Sequence, residues 1–298
     1  MGQLLSLCCV LVCPRRHLKD DTLLYKGNNS AIYELTNKKM VCKVVYNYNM
    51  FLREKKFIQE MKRHSKQHNI IRCYHVVPGH SIFLMERAEQ DFLEWAKCHA
   101  RKPGYIRQLK MWMGQLAQGC RFLLANHIEH YDIKPDNLLL VGNILKIADF
   151  GTCQIQQVSY VLHTGTHGFI APEIMGLTNK DYYIPHSMDV YSICVMMMYL
   201  QFVAVFKKFY DKDWTLEHYL SLEQYVNSRY PSTFYHNGLV ADQRFRLPIC
   251  DLLDHMEEEA AHAKNILRHK EQLSIDCGDG RCCSSLATAN HPNVPKDL

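Results

Sequence analysis

Short apolar and polar runs alternate along the first third of the chain, and a helical period replaces them afterwards. Leu23 to Tyr33 reads as strand, polar turn and strand, with Gly27-Asn28-Asn29 as the turn. Val41-Cys42-Lys43-Val44-Val45 hardly alternates, which suits a strand covered on both faces. Lys43 is then a charge inside an apolar run, a costly placement unless the ammonium is paired. Glu54 to Met61 carries Phe57, Ile58 and Met61 at helical spacing. Asn69-Ile70-Ile71 and the run from Ser81 to Ala88 predict the next strands. Further on, Leu109, Trp112, Met113, Leu116, Ala117, Cys120 and Leu124 form one amphipathic stripe over Arg107 to Leu124, and this stripe predicts a core helix. Glu257-Glu258-Glu259 reads as a solvated helix face. No internal repeat is present.

Composition narrows the class. A chain of 298 residues with 47% hydrophobic and 22% charged residues is globular, and long enough for one two-lobed domain or two small ones. The formal charge of +5 is spread out, with no basic block or interleaved aromatics, so nucleic acid is not an expected partner. The 13 cysteines are scattered, mostly singly and without a Cys-x-x-Cys pair, which points to reduced thiols rather than a disulfide frame or a zinc site. No apolar run reaches the length of a membrane-spanning helix. The N-terminus, however, reads Met1-Gly2-Gln3-Leu4-Leu5-Ser6, the N-myristoylation pattern with Gly2 as acceptor. Cys8, Cys9 and Cys13 are candidate palmitoylation sites, and Arg15, Arg16 and Lys19 would face anionic lipid. The alternative is that Leu4 to Cys13 is a hydrophobic arm packed on the domain.

The candidate chemistry lies in Glu129-His130-Tyr131-Asp132-Ile133-Lys134-Pro135-Asp136-Asn137 and, shortly after, Asp149-Phe150-Gly151. Two carboxylates, a lysine and an asparagine at this spacing suit ATP-dependent phosphoryl transfer. Asp132 can accept a hydroxyl proton, Lys134 can neutralise the moving phosphoryl group, and Asn137 with Asp149 can hold Mg2+. Followed by Ala171-Pro172-Glu173, the ordered set resembles the eukaryotic protein kinase family.

That resemblance implies an α+β, two-lobed fold. A small β-rich N-lobe and hinge would span 23–88 and a larger helical C-lobe 89–277, flanked by an acylation segment at 1–22 and a mobile tail at 278–298. It places Tyr25, Gly27 and Ser30 at the three glycine positions of the loop over the ATP phosphates, and Ile32 over the adenine. Lys43 would grip the α- and β-phosphates, with Glu54 as its partner and Glu60 as the alternative. Met85 would be the gatekeeper, with backbone groups from Glu86 to Ala88 bonding the adenine. Asp91 would reach the ribose or, equally, cap a helix. Gly165 to Glu173, with Thr166, resembles the loop that seats the substrate residue, and Lys134-Pro135 with Thr166 resembles the serine/threonine branch. Asp189-Val190-Tyr191-Ser192-Ile193-Cys194 resembles the start of the buried central helix, whose Asp189 would bond catalytic-loop backbone. The resemblance fades beyond about Lys207, and no arginine is evident as the partner of Glu173.

The expectation is therefore a monomeric, cytoplasmic, membrane-tethered kinase of protein serine or threonine. It would not need activation-loop phosphorylation, because Tyr131 stands where an arginine would receive the phosphate. The compact length resembles kinases of large DNA viruses. A pseudokinase scaffold or adaptor at a membrane and a small-molecule kinase are the alternatives.

Overall fold

The computed structural model describes residues 22–36, 38–61, 69–155, 165–176, 184–201, 215–229 and 234–276. Gly2, Cys8 and Cys9, and the tail from Gly278, lie outside these residues. Strands β1 (Leu23–Lys26), β2 (Ser30–Glu34), β3 (Met40–Val45), β4 (Cys73–Val77) and β5 (Ile82–Glu86) form an antiparallel sheet in the order β1-β2-β3-β5-β4. The register sets Ile32 and Phe83 opposite Lys43, and Met85 opposite Val41, so these five side chains share one face. That face packs into the main core. The opposite face, with Cys42, Val44, Ile82 and Leu84, joins a second, smaller cluster. β3 is thus covered on both sides, which is why its sequence does not alternate.

Helix α1 (Tyr48–Met61) follows β3 after two residues, Tyr46 and Asn47. It starts two turns earlier than the apolar spacing predicted, because the Asn47 side chain accepts the N–H groups of Asn49 and Met50 and caps the first turn. Its buried stripe is Phe51, Glu54, Phe57, Ile58 and Met61.

The second lobe opens with β6 (Gln90–Asp91), α2 (Phe92–His99) and α3 (Tyr105–Ala125). The strands β7 (Ile128–Glu129), β8 (Leu138–Val141), β9 (Ile144–Ile147) and β10 (Gln154–Ile155) follow, then the helices α4 (Ser187–Gln201), α5 (Leu216–Arg229) and α6 (Ile249–Asp276). β6, β8 and β9 make one small sheet and β7 with β10 another. α3 buries the predicted stripe except Leu124, which is half-buried while Leu123 takes the core position, and it packs along α6 so closely that a Cβ at Gly114 would lie 2.4 Å from Ala260 Cβ. α4 is buried from Ser187 through Leu200, so it shows no amphipathic period. Burial of Cys42 pushes its thiol up to about 12, and Cys120, Cys153 and Cys194 are likewise buried. No helix among the described residues is long and apolar enough to cross a membrane.

The acidic run of α6 corrects its sequence reading. Glu258 is exposed as expected, but Glu257 accepts Arg121 Nε at 2.9 Å and Glu259 accepts Lys110 Nζ at 2.6 Å. Two of the three carboxylates therefore fasten α6 to α3.

Candidate active site

Two groups of polar side chains face each other between the lobes. In the first, Lys43 Nζ stands 2.9 Å from both Glu54 oxygens and 3.0 Å from Asp149 Oδ1. Glu54 lies on the buried stripe of α1 and takes the lysine; no contact joins Lys43 to Glu60 among the described residues. Burial opposes charge on Lys43, but Asp149 and Glu54 outweigh it and raise its pKa, so the ammonium stays protonated. Burial likewise opposes charge on Asp149, and Lys43 nevertheless holds its carboxyl below the ordinary value. For Glu54, burial prevails over the lysine and moves the carboxyl upward. The Asp149 side chain is 39% exposed against 7% for Lys43, so the aspartate keeps a solvent-facing side. Arg53 Nε bonds Gly151 carbonyl at 2.9 Å, tying α1 to the chain just past Asp149.

The second group comes from the turn before β8. Asp132 Oδ1 accepts the Thr166 hydroxyl at 2.7 Å, and Oδ2 accepts Asn137 Nδ2 at 2.8 Å. Lys134 Nζ is 3.0 Å from Asp132 Oδ2 and 2.5 Å from Thr166 Oγ1. Asn137 Nδ2 also bonds the Asp132 carbonyl at 2.8 Å, which leaves Oδ1 as its remaining donor atom for a cation. Thr166 is far from Asp132 in sequence, and its arrival here brings the Gly-Thr segment onto the Asp132 turn.

The frame behind these groups is buried. Asp189 accepts the N–H groups of His130 and Tyr131, each at 2.9 Å. His130 Nε2 is 3.0 Å from Ala148 carbonyl, and its ring meets Phe150 edge-on at 4.8 Å. Phe150 in turn stacks on Phe57 of α1 at 3.6 Å. Tyr131 (φ 67°) and Asp149 (φ 61°) are both left-handed, a conformation that costs about 1–3 kcal/mol in a non-glycine residue and persists only where the surroundings impose it. Here Asp189 imposes the first and Lys43 contributes to the second.

At the hinge, Glu86 N–H bonds Arg72 carbonyl, Arg87 N–H bonds Lys39 carbonyl and Glu89 N–H bonds Leu140 carbonyl. Between them, Ala88 N–H has no partner among the described residues. The Glu86 side chain is held by Lys146 at 2.6 Å, and Met85 is buried opposite Val41. Asp91 takes the capping role, its Oδ1 accepting Glu94 N–H at 2.8 Å. In the β1–β2 hairpin, Gly27 N–H bonds Ser30 carbonyl at 2.9 Å. The Tyr25 ring lies against Gly27, where a Cβ would meet its hydroxyl at 2.8 Å, and Tyr25 is itself 61% exposed.

One member of the site escaped the sequence reading. Arg246 Nη1 and Nη2 bond the two Glu173 oxygens at 2.5 and 2.9 Å, supplying the missing partner. The arginine also bonds Ser187, Val240 and Ala241, and its guanidinium lies 5.1 Å from the Tyr191 ring centre. It follows a single short turn, Gln243–Phe245, and no periodic pattern leads to it. The sequence shows two arginines, Arg244 and Arg246, between apolar stretches, and nothing in it marks that Arg246 is buried while Arg244 is exposed.

The chain is similar in sequence to known protein kinases. Human cyclin-dependent kinase 20 is 32% identical over 157 residues, half of this chain and 43% of that protein. Mouse MAPK/MAK/MRK overlapping kinase is 28% identical over 141 residues, 45% of this chain and 33% of its own length. A probable serine/threonine-protein kinase, KKQ8 of Candida glabrata, is 36% identical over 109 residues, 33% of this chain and 14% of that protein. The chain thus spans less than half the length of each of these relatives. A family model described as the protein kinase domain matches residues 21–270, well past Lys207, where the sequence resemblance fades, and through Arg246. With that match laid over the paired Lys43–Glu54, the Asp132 turn and the Glu173–Arg246 pair, the chain belongs to the protein kinase family.

Proposed function

We propose that the chain is an ATP- and Mg2+-dependent kinase that transfers a phosphoryl group to serine or threonine of proteins. The observation that carries this reading is the Asp132 turn, where Thr166 already places a hydroxyl donor at 2.7 Å from the carboxylate. A substrate hydroxyl has the same donor chemistry, so Asp132 can orient it and accept its proton as attack begins. Lys134 supplies positive charge beside the transferring group. Lys43, fixed by Glu54, offers its ammonium to phosphate oxygens, and Ala88 N–H is a free backbone donor for the adenine edge. The exposed side of Asp149 and Asn137 Oδ1 are hard oxygen donors of the kind that bind Mg2+. When bound, that ion screens the negative charge of the phosphates. The names of the relatives, including a probable serine/threonine-protein kinase, support the choice of hydroxyl substrate.

Peptide phosphorylation and ATP binding measured together test the assignment. Asp132→Ala should remove most of kcat and spare ATP affinity, because Asp132 does not hold nucleotide. Asp149→Asn should impair both. Asp132→Ala turning over peptide at the parent rate would refute the role given to Asp132. Tyr25 in the nucleotide hairpin favours a second reading, a pseudokinase scaffold, which predicts nucleotide binding with no transfer in the parent protein. Small-molecule phosphorylation leaves the Gly-Thr segment on Asp132 without a purpose.

The pattern Met1 to Ser6 with Cys8 and Cys9 supports a further element of the proposal, a doubly acylated anchor that holds the kinase at the cytoplasmic face of a membrane. Tyr131 supports activity without activation-loop phosphorylation, since it brings no positive charge to receive a phosphate.

A further inference from the structure

The buried polar residues that the catalytic groups leave unused collect behind the catalytic turn. β7 leads straight into His130, and β10 lies three residues after Gly151. The two strands pair with Gln154 opposite Glu129 and Ile155 opposite Ile128. Cross-strand partners project to the same side, so the Glu129 carboxyl and the Gln154 amide share a face. Glu129 is 5% exposed and Gln154 8%. Glu129 Oε2 accepts the His186 N–H at 3.1 Å, at the head of α4. His186 Nδ1 lies 3.9 Å from Asp189 Oδ2, and Asp189 holds the His130 and Tyr131 amides. Glu129 therefore stands where the catalytic turn, the start of the activation segment and the head of α4 meet.

The charged groups around it are unbalanced. From α4 it faces Asp189, from the preceding turn His186, and from the catalytic turn the Tyr131 hydroxyl, with His130 beside Asp189. From β10 comes only the neutral Gln154. Glu173, which also faces Tyr131, is matched by Arg246. Of the two carboxylates, Asp189 has both His186 and His130 near it, whereas Glu129 has His186 alone as a basic neighbour among the described residues. Two buried polar atoms, Gln154 Oε1 and Tyr131 Oη, have no hydrogen-bond partner among the described residues. The tyrosine hydroxyl can bond either form of a carboxyl group and does not discriminate. The Gln154 amide is placed with Oε1 as its buried, unsatisfied atom, and in that placement the donor it needs comes from a protonated carboxyl and not from a carboxylate.

We propose that Glu129 is a positioning residue that works in its protonated form, giving its O–H to Gln154 Oε1 and so tying the start of the activation segment to the catalytic turn. Ionisation removes the donor, sets a second buried negative charge beside Asp189, and loosens the tie. Burial and Asp189 push the Glu129 carboxyl up to about 7, against the pull of His186. Burial opposes charge on His186, but Asp189 outweighs it and raises that group as well. The sign follows from proton counts. The folded state keeps the Glu129 proton to a higher pH than the unfolded chain does, so stability falls as pH rises from the ordinary glutamate range to about 7, and turnover falls on the alkaline side.

The effect on turnover rests on the kinase reading, and the test separates the two. kcat at saturating ATP and peptide is compared for wild type and Glu129→Gln from pH 6 to pH 8, together with their urea unfolding midpoints from pH 5 to pH 8. Glutamine keeps the shape, carries no charge and donates N–H at every pH. The protonated share of Glu129 drops from about nine-tenths to about one-tenth over pH 6–8, so the wild-type to variant kcat ratio should fall about tenfold. The wild-type unfolding midpoint should fall relative to the variant as pH rises. Gln154→Met, which deletes the acceptor, should flatten the wild-type pH profile and serves if Glu129→Gln does not fold. A constant kcat ratio with parallel midpoints overturns the proposal. Diverging midpoints with no peptide turnover would uphold the proton-held tie and refute the kinase reading instead.

Discussion

Arg246 offers the sharpest test of how the second lobe is held. Its side chain is 0% exposed and that of Glu173 3%, so this ion pair is fully withdrawn from water. Arg246→Met keeps most of the volume and removes the guanidinium. Glu173 is then a buried carboxylate without its bidentate partner, and the Ser187, Val240 and Ala241 carbonyls each lose a donor. Removing one member of a buried pair costs about 3–5 kcal/mol, chiefly because the other charge stays buried. Orphaned carbonyls add to this, at about 1 kcal/mol or more each where water cannot reach them. Against a typical total stability of about 5–15 kcal/mol, the single variant should be severely destabilised. Glu173→Gln in the same background removes the stranded charge and should recover part of the loss. A double-mutant cycle by urea unfolding, followed by tryptophan fluorescence, should therefore give a coupling of about 2–3 kcal/mol. If Arg246→Met unfolds within about 1 kcal/mol of the parent, the pair does not hold Glu173 as described and the reasoning fails.

Two further outcomes are expected. Protein made in bacteria and treated with phosphatase should phosphorylate peptide as fast as untreated protein, because Tyr131 brings no positive charge to pair with a loop phosphate; activity that appears only after an upstream kinase acts would contradict this. Gly2→Ala should move the protein from membrane to soluble fractions in eukaryotic cells, and Cys8→Ser with Cys9→Ser should leave weak, salt-sensitive binding, since one acyl chain alone attaches only marginally; full membrane association of Gly2→Ala would point to a packed hydrophobic arm.

Much of the site was readable because its residues break local patterns. Lys43 stands out as a charge in a strand covered on both faces, and the Asp132 turn has fixed spacing along the chain. The choice of Glu54 over Glu60 was also available, since Glu54 keeps phase with Phe51, Phe57, Ile58 and Met61 on the buried side of α1. Arg246 was not readable in this way. Its partner lies 73 positions earlier, neither residue belongs to a periodic element, and only the folded chain brings them together. α4 was legible only through the resemblance carried by Asp189 to Cys194, as a helix buried on all sides has no polar face to mark its period. The acidic run of α6 was misread because the cations that meet it sit on α3, far away in sequence.

The same contrast bears on how the candidate site is held. Two residues of the catalytic centre, Tyr131 and Asp149, are left-handed, and each is bound by a buried charge already in place, Asp189 or Lys43. Phe150 is clamped between His130 and Phe57, so α1 and the catalytic turn lean on one ring. The joint with unmet hydrogen-bonding capacity is the short β7–β10 pair, where Gln154 Oε1 has no donor among the described residues. A buried acceptor left unpaired costs about 1–3 kcal/mol, comparable to the strain stored in one left-handed residue. Supplying a proton to Glu129 therefore shifts the balance at the joint by as much as the catalytic turn has at stake. On the proposal made above, with the neutral Tyr131 preceding Asp132, protonation of Glu129 is the perturbation to which residues after Gly151 would answer.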